Sequence, residues 1–134
     1  MIDIRELRIN SHVLLKGERV EVEGIDNLRE LVGLKGFYVE REGERFHLAY
    51  RPQDLDPIPL TEELLKELGF RNEYGDFYKD LGENLCLSLN HAKAFIIWEV
   101  RNGKFVNDLA SMDNCRYLHE LEAFVYLTTK QELI

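Results

Sequence analysis

Residues 51–60 read RPQDLDPIPL and hold all three prolines of the chain. Each proline removes a backbone donor and turns the residue before it away from helix, so this stretch reads as a connector. Working outward, the chain changes character on its two sides. Before the connector lie short alternating runs separated by glycine turns; after it come a helix, more strands and a final helix. That order predicts an α+β fold in two parts, 1–60 and 61–134. In a chain of 134 residues neither part has much surface to bury alone, so one cooperative unit is expected.

The hairpins can be put in register, because residues opposite each other in an antiparallel pair face the same side. A turn at Lys16-Gly17 sets Val13 against Val20 and Ser11 against Val22 on an apolar face, with His12 and Glu21 on the other. A turn at Glu42-Gly43 sets Val39 against Phe46 and Phe37 against Leu48, leaving Glu40 with Arg45 and Tyr38 with His47 outside. Asn102-Gly103 is the strongest turn signal, since both residues accept the positive φ of a type I′ hairpin. It pairs Val100 with Phe105, Trp98 with Asn107 and Ile96 with Leu109, which assigns Trp98 to the core face.

Thr61 is placed to cap a helix reaching about Leu68, with Glu62 and Glu63 in its first turn and Gly69 ending it. A second, amphipathic helix is predicted from Asp113 to Thr128. Tyr117, Leu118, Leu121, Phe124 and Val125 share its apolar arc, and His119, Glu122 and Tyr126 lie opposite.

Composition narrows the function classes. Seventeen Lys and Arg stand against 25 Asp and Glu, a net charge of −8, which disfavours a chain that grips phosphate backbones. No apolar run approaches the length of a membrane span and no signal peptide is legible, so a soluble, cytoplasmic protein is expected. Cys86 and Cys115 are too few for a disulfide scaffold.

Three stretches resemble a family of uncharacterised proteins from gut bacteria of the Bacteroides type and their phages and mobile elements. LRINSHV (7–13) is similar to its LRIGNxV opening, DPIPLTEELLKELGF (56–70) to its EPIPLTEEWLLKFGF middle, and RYLHELEAFVYLTTKQEL (116–133) to its KYVHQLQNLYFALTGEEL-type end. The resemblance implies an SH3-like small β-barrel up to the connector, then a helix, an antiparallel meander and the closing amphipathic helix. It implies no reaction. Asn10-Ser11 stands where the family has Gly-Asn, and Asn tolerates the left-handed conformation that Gly would take there.

Candidate chemistry is thin. His12 and His47 are explained as solvated cross-strand neighbours, and His91 belongs to a loop. Cys115 and His119 offer two ligands at helical spacing where zinc takes three or four, so no metal site and no cofactor is assigned. Ser88 lacks a nucleophile turn, and Cys86, Ser88 and Asn90 alternate with leucines in an ordinary strand. An enzyme would need His91, His119, Cys115 or Ser88 to converge in space. No catalytic residue is assigned.

Aromatic residues are the more informative feature. Among Tyr38, Tyr50, Tyr74, Phe77, Tyr78 and Trp98, the expected binding surface takes Tyr38, Tyr74, Phe77 and Tyr78. The resulting reading is a non-enzymatic protein-interaction module whose partner is another protein or a second copy of the chain, with no membrane role. An acidic mimic of nucleic acid is a narrower version, requiring Glu21, Glu23, Asp26 and Glu30 in one continuous patch. The alternative is a nucleic-acid-associated SH3-like module using Lys16, Arg19, Arg41, Arg45 and Arg51.

Overall fold

The computed structural model describes residues 2–90 and 93–134; His91 lies outside them. The chain is α+β, built from antiparallel strands and two α-helices among the described residues. It divides into two compact units. The first runs to Pro59 and takes up Tyr117–Ala123, and the second comprises Leu60–Arg116 with Phe124–Ile134.

In the first unit, β1 (His12–Leu15), β2 (Glu18–Asp26), β3 (Leu31–Arg41), β4 (Glu44–Tyr50) and β5 (Leu55–Asp56) form one sheet in the order β4-β3-β2-β1-β5. Both expected turns are present. Lys16-Gly17 and Glu42-Gly43 have positive φ at both residues, the type I′ geometry whose twist suits a two-residue hairpin. The pairings Val13↔Val20, His12↔Glu21, Val39↔Phe46 and Tyr38↔His47 follow from them. Asn10 takes φ 76, as Asn in place of Gly suggests. It lets the buried Ser11 accept the Arg8 N–H on its hydroxyl at 3.0 Å.

Two expectations fail in this unit. Among the described residues no ladder joins β4 to β5, so the sheet does not close into a barrel. The apolar side of the β3–β4 hairpin reaches the core only through Phe37: Val39, Phe46 and Leu48 are exposed. The cause is length. The β2 ladder on β3 runs from Leu31 to Leu34, and beyond that point β3 pairs only with β4, leaving the hairpin tip past the other strands. The core is instead built from Ile2, Ile4, Leu7, Val13, Val22, Val32, Leu34 and Leu55.

In the second unit, β6 (Arg71–Glu73), β7 (Asp76–Asp80), β8 (Leu85–Leu89), β9 (Phe95–Arg101) and β10 (Lys104–Met112) make a meander in the order β10-β9-β8-β7-β6. Helix α1 (Glu62–Glu67) starts where expected, with the Thr61 hydroxyl accepting the Leu64 N–H at 3.1 Å. Leu64, Leu65, Phe70, Phe77, Leu87, Phe95, Ile97 and Val125 are buried, each such side chain worth about 1.5–3 kcal/mol of transfer free energy.

Helix α2 spans Leu118–Thr129, five residues short of the predicted start. Asn114 adopts φ 58 and Tyr117 forms a bridge to Pro59, so the chain is still extended where helix was expected. Cys115 therefore shares no helix face with His119. The helix side assigned to solvent is also wrong at two positions, since His119 and Glu122 are each 1% exposed.

Candidate functional site

The alternation of β8 decides which way the second sheet faces. Leu87 pairs with Lys79 and Ile97, and Leu89 with Phe77 and Phe95, giving the core side, where Leu87, Ile97, Phe77 and Phe95 are buried. Ser88 pairs with Tyr78 and Ile96, and Cys86 with Asp80 and Trp98, giving the opposite side, where Ser88 and Cys86 are buried and the flanking Tyr78, Ile96 and Trp98 are partly exposed. Trp98 and Ile96 thus leave the core face the turn arithmetic gave them. The expected pairing holds for Val100↔Phe105 and then slips, because bulges at Val106 and Leu109 bring Asn107 opposite Glu99 and Asp108 opposite Trp98.

On this side the aromatic rings collect. Phe105 lies parallel to Trp98 with centroids 5.2 Å apart, and 5.9 Å from Tyr78. Strands in a sheet are about 4.8 Å apart, so a flat sheet would hold β10 and β7 about 14 Å apart. The Phe105 and Tyr78 side chains lean toward each other across the two intervening strands, and the bulges of β10 bend that strand. The face is concave between them. It encloses a pocket of about 170 Å³ lined by Tyr78, Trp98 and Phe105 with Ile96, Ser88, Asn90 and Asp76.

Each wall is held by a stated partner. The Trp98 indole N–H donates to the Ser88 hydroxyl at 2.9 Å, which fixes the indole plane. Tyr78 directs its hydroxyl to Asp76 at 3.5 Å, and burial together with that carboxylate pushes the phenol above its ordinary range. Cys86 is buried beneath, and desolvation pushes its thiol up, away from the thiolate a nucleophile needs. Arg71 is engaged by Asp80 at 3.0 Å and Glu73 at 3.1 Å. Phe105 itself is 45% exposed.

The four residues expected to form a binding surface are not equivalent. Tyr78 is on the concave face. Phe77, its neighbour, points to the core at 6% exposure and lines a separate cleft of about 340 Å³ with Leu65, Leu89, Phe95 and Cys115. Tyr74 is fully exposed at the tip of a β6–β7 hairpin, with φ positive there and at Gly75. Tyr38 belongs to the first unit, where its hydroxyl donates to Glu23 at 2.5 Å, its ring lies 5.1 Å from His47, and the Arg45 guanidinium sits over it at 5.0 Å. Its polar and aromatic capacity is spent inside the chain.

Trp98, Phe105 and Asp76 are the residues that sequence reasoning missed on this face. A signal existed for Trp98. Cys86, Ser88 and Asn90 mark the polar side of β8, and pairing β8 with β9 puts the residue opposite Cys86 on that same side.

The polar clusters of the first unit act structurally. His47 bonds Glu23 through Nε2 at 2.9 Å, and its imidazole lies on the glycine pair Gly24↔Gly33; a Cβ at Gly33 would meet the ring at 2.7 Å. The hydrogen bonds from Tyr38 and His47 hold the Glu23 carboxyl below its usual range. His12 lies opposite Glu21 as expected but is largely buried and not solvated. Its Nδ1 lies 2.6 Å from the buried Glu122 carboxylate, which also accepts its backbone N–H at 2.8 Å. That bond raises the imidazole above its ordinary value. His119 faces Glu6 through Nε2 at 3.1 Å.

Ser88 accepts the Trp98 N–H, His119 pairs with Glu6 and Cys115 lines the cleft beside Phe77; among the described residues no three or more His, Cys, Asp and Glu are arranged to hold a metal ion. The acidic patch needed by a nucleic-acid mimic is broken up. Lys35 pairs with Glu21 at 3.5 Å and Arg29 with Asp26 at 3.8 Å. Among the described residues, no helix is long and apolar enough to cross a membrane.

Fold and face together define an α+β protein with two five-stranded antiparallel sheets, one of which carries an aromatic pocket. The chain matches no protein-family model, no curated protein and no solved structure.

Proposed function

We propose that this chain is a non-enzymatic, cytoplasmic protein-interaction module that docks its partner on the concave face of the second sheet. The observation that carries the reading is Phe105. It stands 45% exposed over Trp98 and Tyr78 instead of joining the buried side of its own sheet. Aromatic side chains in a recess supply large contact area at low entropic cost, and such anchors dominate protein interfaces. The fully exposed Tyr74 on the β6–β7 turn of the same unit adds a second anchor. Asp80 and Arg71, which share the Tyr78 side of the sheet, supply a mixed polar surround, the usual composition of an interface rim.

The strand order β4-β3-β2-β1-β5, with a short 3-10 turn at Pro52–Asp54 before β5, supports an SH3-like reading of the first unit. That reading, and a setting in phages or mobile elements of Bacteroides-type bacteria, rest on the resemblance of the three sequence stretches. Nucleic acid is the less favoured partner, because Arg45 is engaged by Glu40 and Tyr38 and, among the described residues, the pocket lining holds an acid and no base.

A random peptide library displayed against the purified chain tests the proposal. Enriched peptides should lose binding to Phe105→Asp and keep it with Val39→Asp in the other sheet. Enrichment indifferent to Phe105→Asp, or none at all, sinks it. Binding of single-stranded RNA or DNA that weakens with salt would favour the alternative partner.

A further inference from the structure

The pocket on the concave face has a chemical preference that docking alone does not specify. Among the described residues its lining presents three aromatic rings, the neutral Ile96, Ser88 and Asn90, and a single charged group, the Asp76 carboxylate, with no Lys or Arg. Aromatic faces carry negative potential and attract a cation held over them. A carboxylate at the same cavity adds to that attraction, and the chain's net charge of −8 favours the approach of positive ligands.

The indole N–H supports the same preference by its absence from the pocket. Trp98 gives that donor to Ser88, so what remains of the indole for a ligand is the part of its π surface and edge that the stacked Phe105 leaves open. Tyr78 likewise directs its hydroxyl toward Asp76. With these polar groups spent, the rings offer faces and edges more than hydrogen bonds. Size narrows the ligand further. Sites for whole drug-sized molecules run from about 300 Å³ upward, whereas about 170 Å³ suits one head group or one side-chain terminus.

Resting on the docking reading above, we infer that the Tyr78–Trp98–Phe105 pocket is a cation cage that receives an alkylated ammonium on a side chain of the partner protein, a trimethylated lysine being the best fit. Methylation enlarges the cation, spreads its charge and removes its hydrogen-bond donors. That matches a site with π surface and few acceptors better than an unmodified ammonium, which stays strongly hydrated.

The test uses the full chain and its single Trp, which is a wall of the pocket. Nα-acetyl-Nε-trimethyllysine amide is titrated against Trp98 fluorescence, beside the neutral analogue in which carbon replaces the ammonium nitrogen and beside unmodified acetyl-lysine amide. Saturable quenching is expected with the trimethylated compound, about tenfold weaker with either comparison compound, consistent with a cation–π contribution between exposed and desolvated values. Asp76→Asn should weaken the trimethylated ligand about threefold and leave the neutral analogue unchanged. Phe105→Leu should weaken it about tenfold, with the denaturation curve of each variant confirming that it folds.

Equal responses to the charged and neutral compounds overturn the inference, as does the absence of saturation. Vesicles of phosphatidylcholine that co-sediment with the wild type but not with Phe105→Leu would move the ammonium to a lipid and overturn its assignment to a protein. The docking reading fails separately. Peptides that bind through Phe105 while the trimethyllysine compound does not quench would keep the interface and remove the cage.

Discussion

The two sheets place polar and apolar groups in opposite ways. In the first unit the closing helix brings Glu122 and His119 into the interior, while Val39, Phe46 and Leu48 stand in solvent on a projecting hairpin. In the second, Phe77, Leu87, Phe95 and Ile97 are buried, and the aromatic rings left over line a recess on the other side. The difference separates two uses of an unusual placement. A buried carboxylate bonded to a backbone N–H and an imidazole fixes where a distant segment of chain must sit. Rings gathered in a recess on the side of a sheet away from its core leave surface for something else to cover.

Breaking the interior arrangement should have the largest effect. Glu122→Ala strands the His12 N–H and imidazole and is expected to cost about 3–5 kcal/mol, as breaking a buried pair does. Urea denaturation measures it, and a loss below about 1 kcal/mol would mean the carboxylate is dispensable. Gly33→Ala comes next, at about 1–3 kcal/mol for overpacking, because its Cβ would press on the His47 ring. Adding His47→Ala should return most of that loss; an unrelieved double variant would point to backbone strain instead.

The His12 pair also has a pH signature. Its imidazole is raised by Glu122, so the folded state holds the proton more tightly than the unfolded one, whose value is about 6.5. The contribution is complete below about pH 6.5 and is lost as pH rises through the raised folded value. Denaturation at about pH 6 and about pH 9 should show that decline, and His12→Asn should flatten it.

On the recessed face the expected stability effects are small and the binding effects large. Phe105→Ser removes one stacked contact, worth about 0.5–1.5 kcal/mol, yet should abolish peptide binding. A matched loss of both would erase the contrast between the sheets. Smallest of all, Tyr74→Asn should gain about 0.5 kcal/mol, since Asn accepts positive φ better than a bulky ring. Thermal unfolding resolves it, and peptide affinity reports whether the exposed ring was retained for contact.

Much of the fold was legible because hairpin turns are local. Lys16-Gly17, Glu42-Gly43 and Asn102-Gly103 fix their registers from two residues each, and Tyr74-Gly75 has the same geometry hidden behind an aromatic residue. Faces were harder to read. Whether Val39 or Trp98 is buried depends on where a neighbouring ladder stops and on which side of the sheet the core lies, which no turn encodes. The candidate site suffered most from this. Trp98 and Phe105 share one side of their hairpin as the turn implies, and were missed because the side that faces the core is set by β8 and not by the turn. His119 and Glu122 were misread for a different reason. Helical periodicity marks them polar and cannot announce a partner more than a hundred residues away.

That distance has a consequence for how the protein is made. The first unit needs Tyr117–Ala123, which leave the ribosome only after the whole second sheet has been translated. At about 5–20 residues per second, β1 waits several seconds with the amide of His12 lacking its carboxylate. The first sheet is thus the earlier to be synthesised and the later to be completed, and a nascent chain arrested before Tyr117 should expose it to proteolysis.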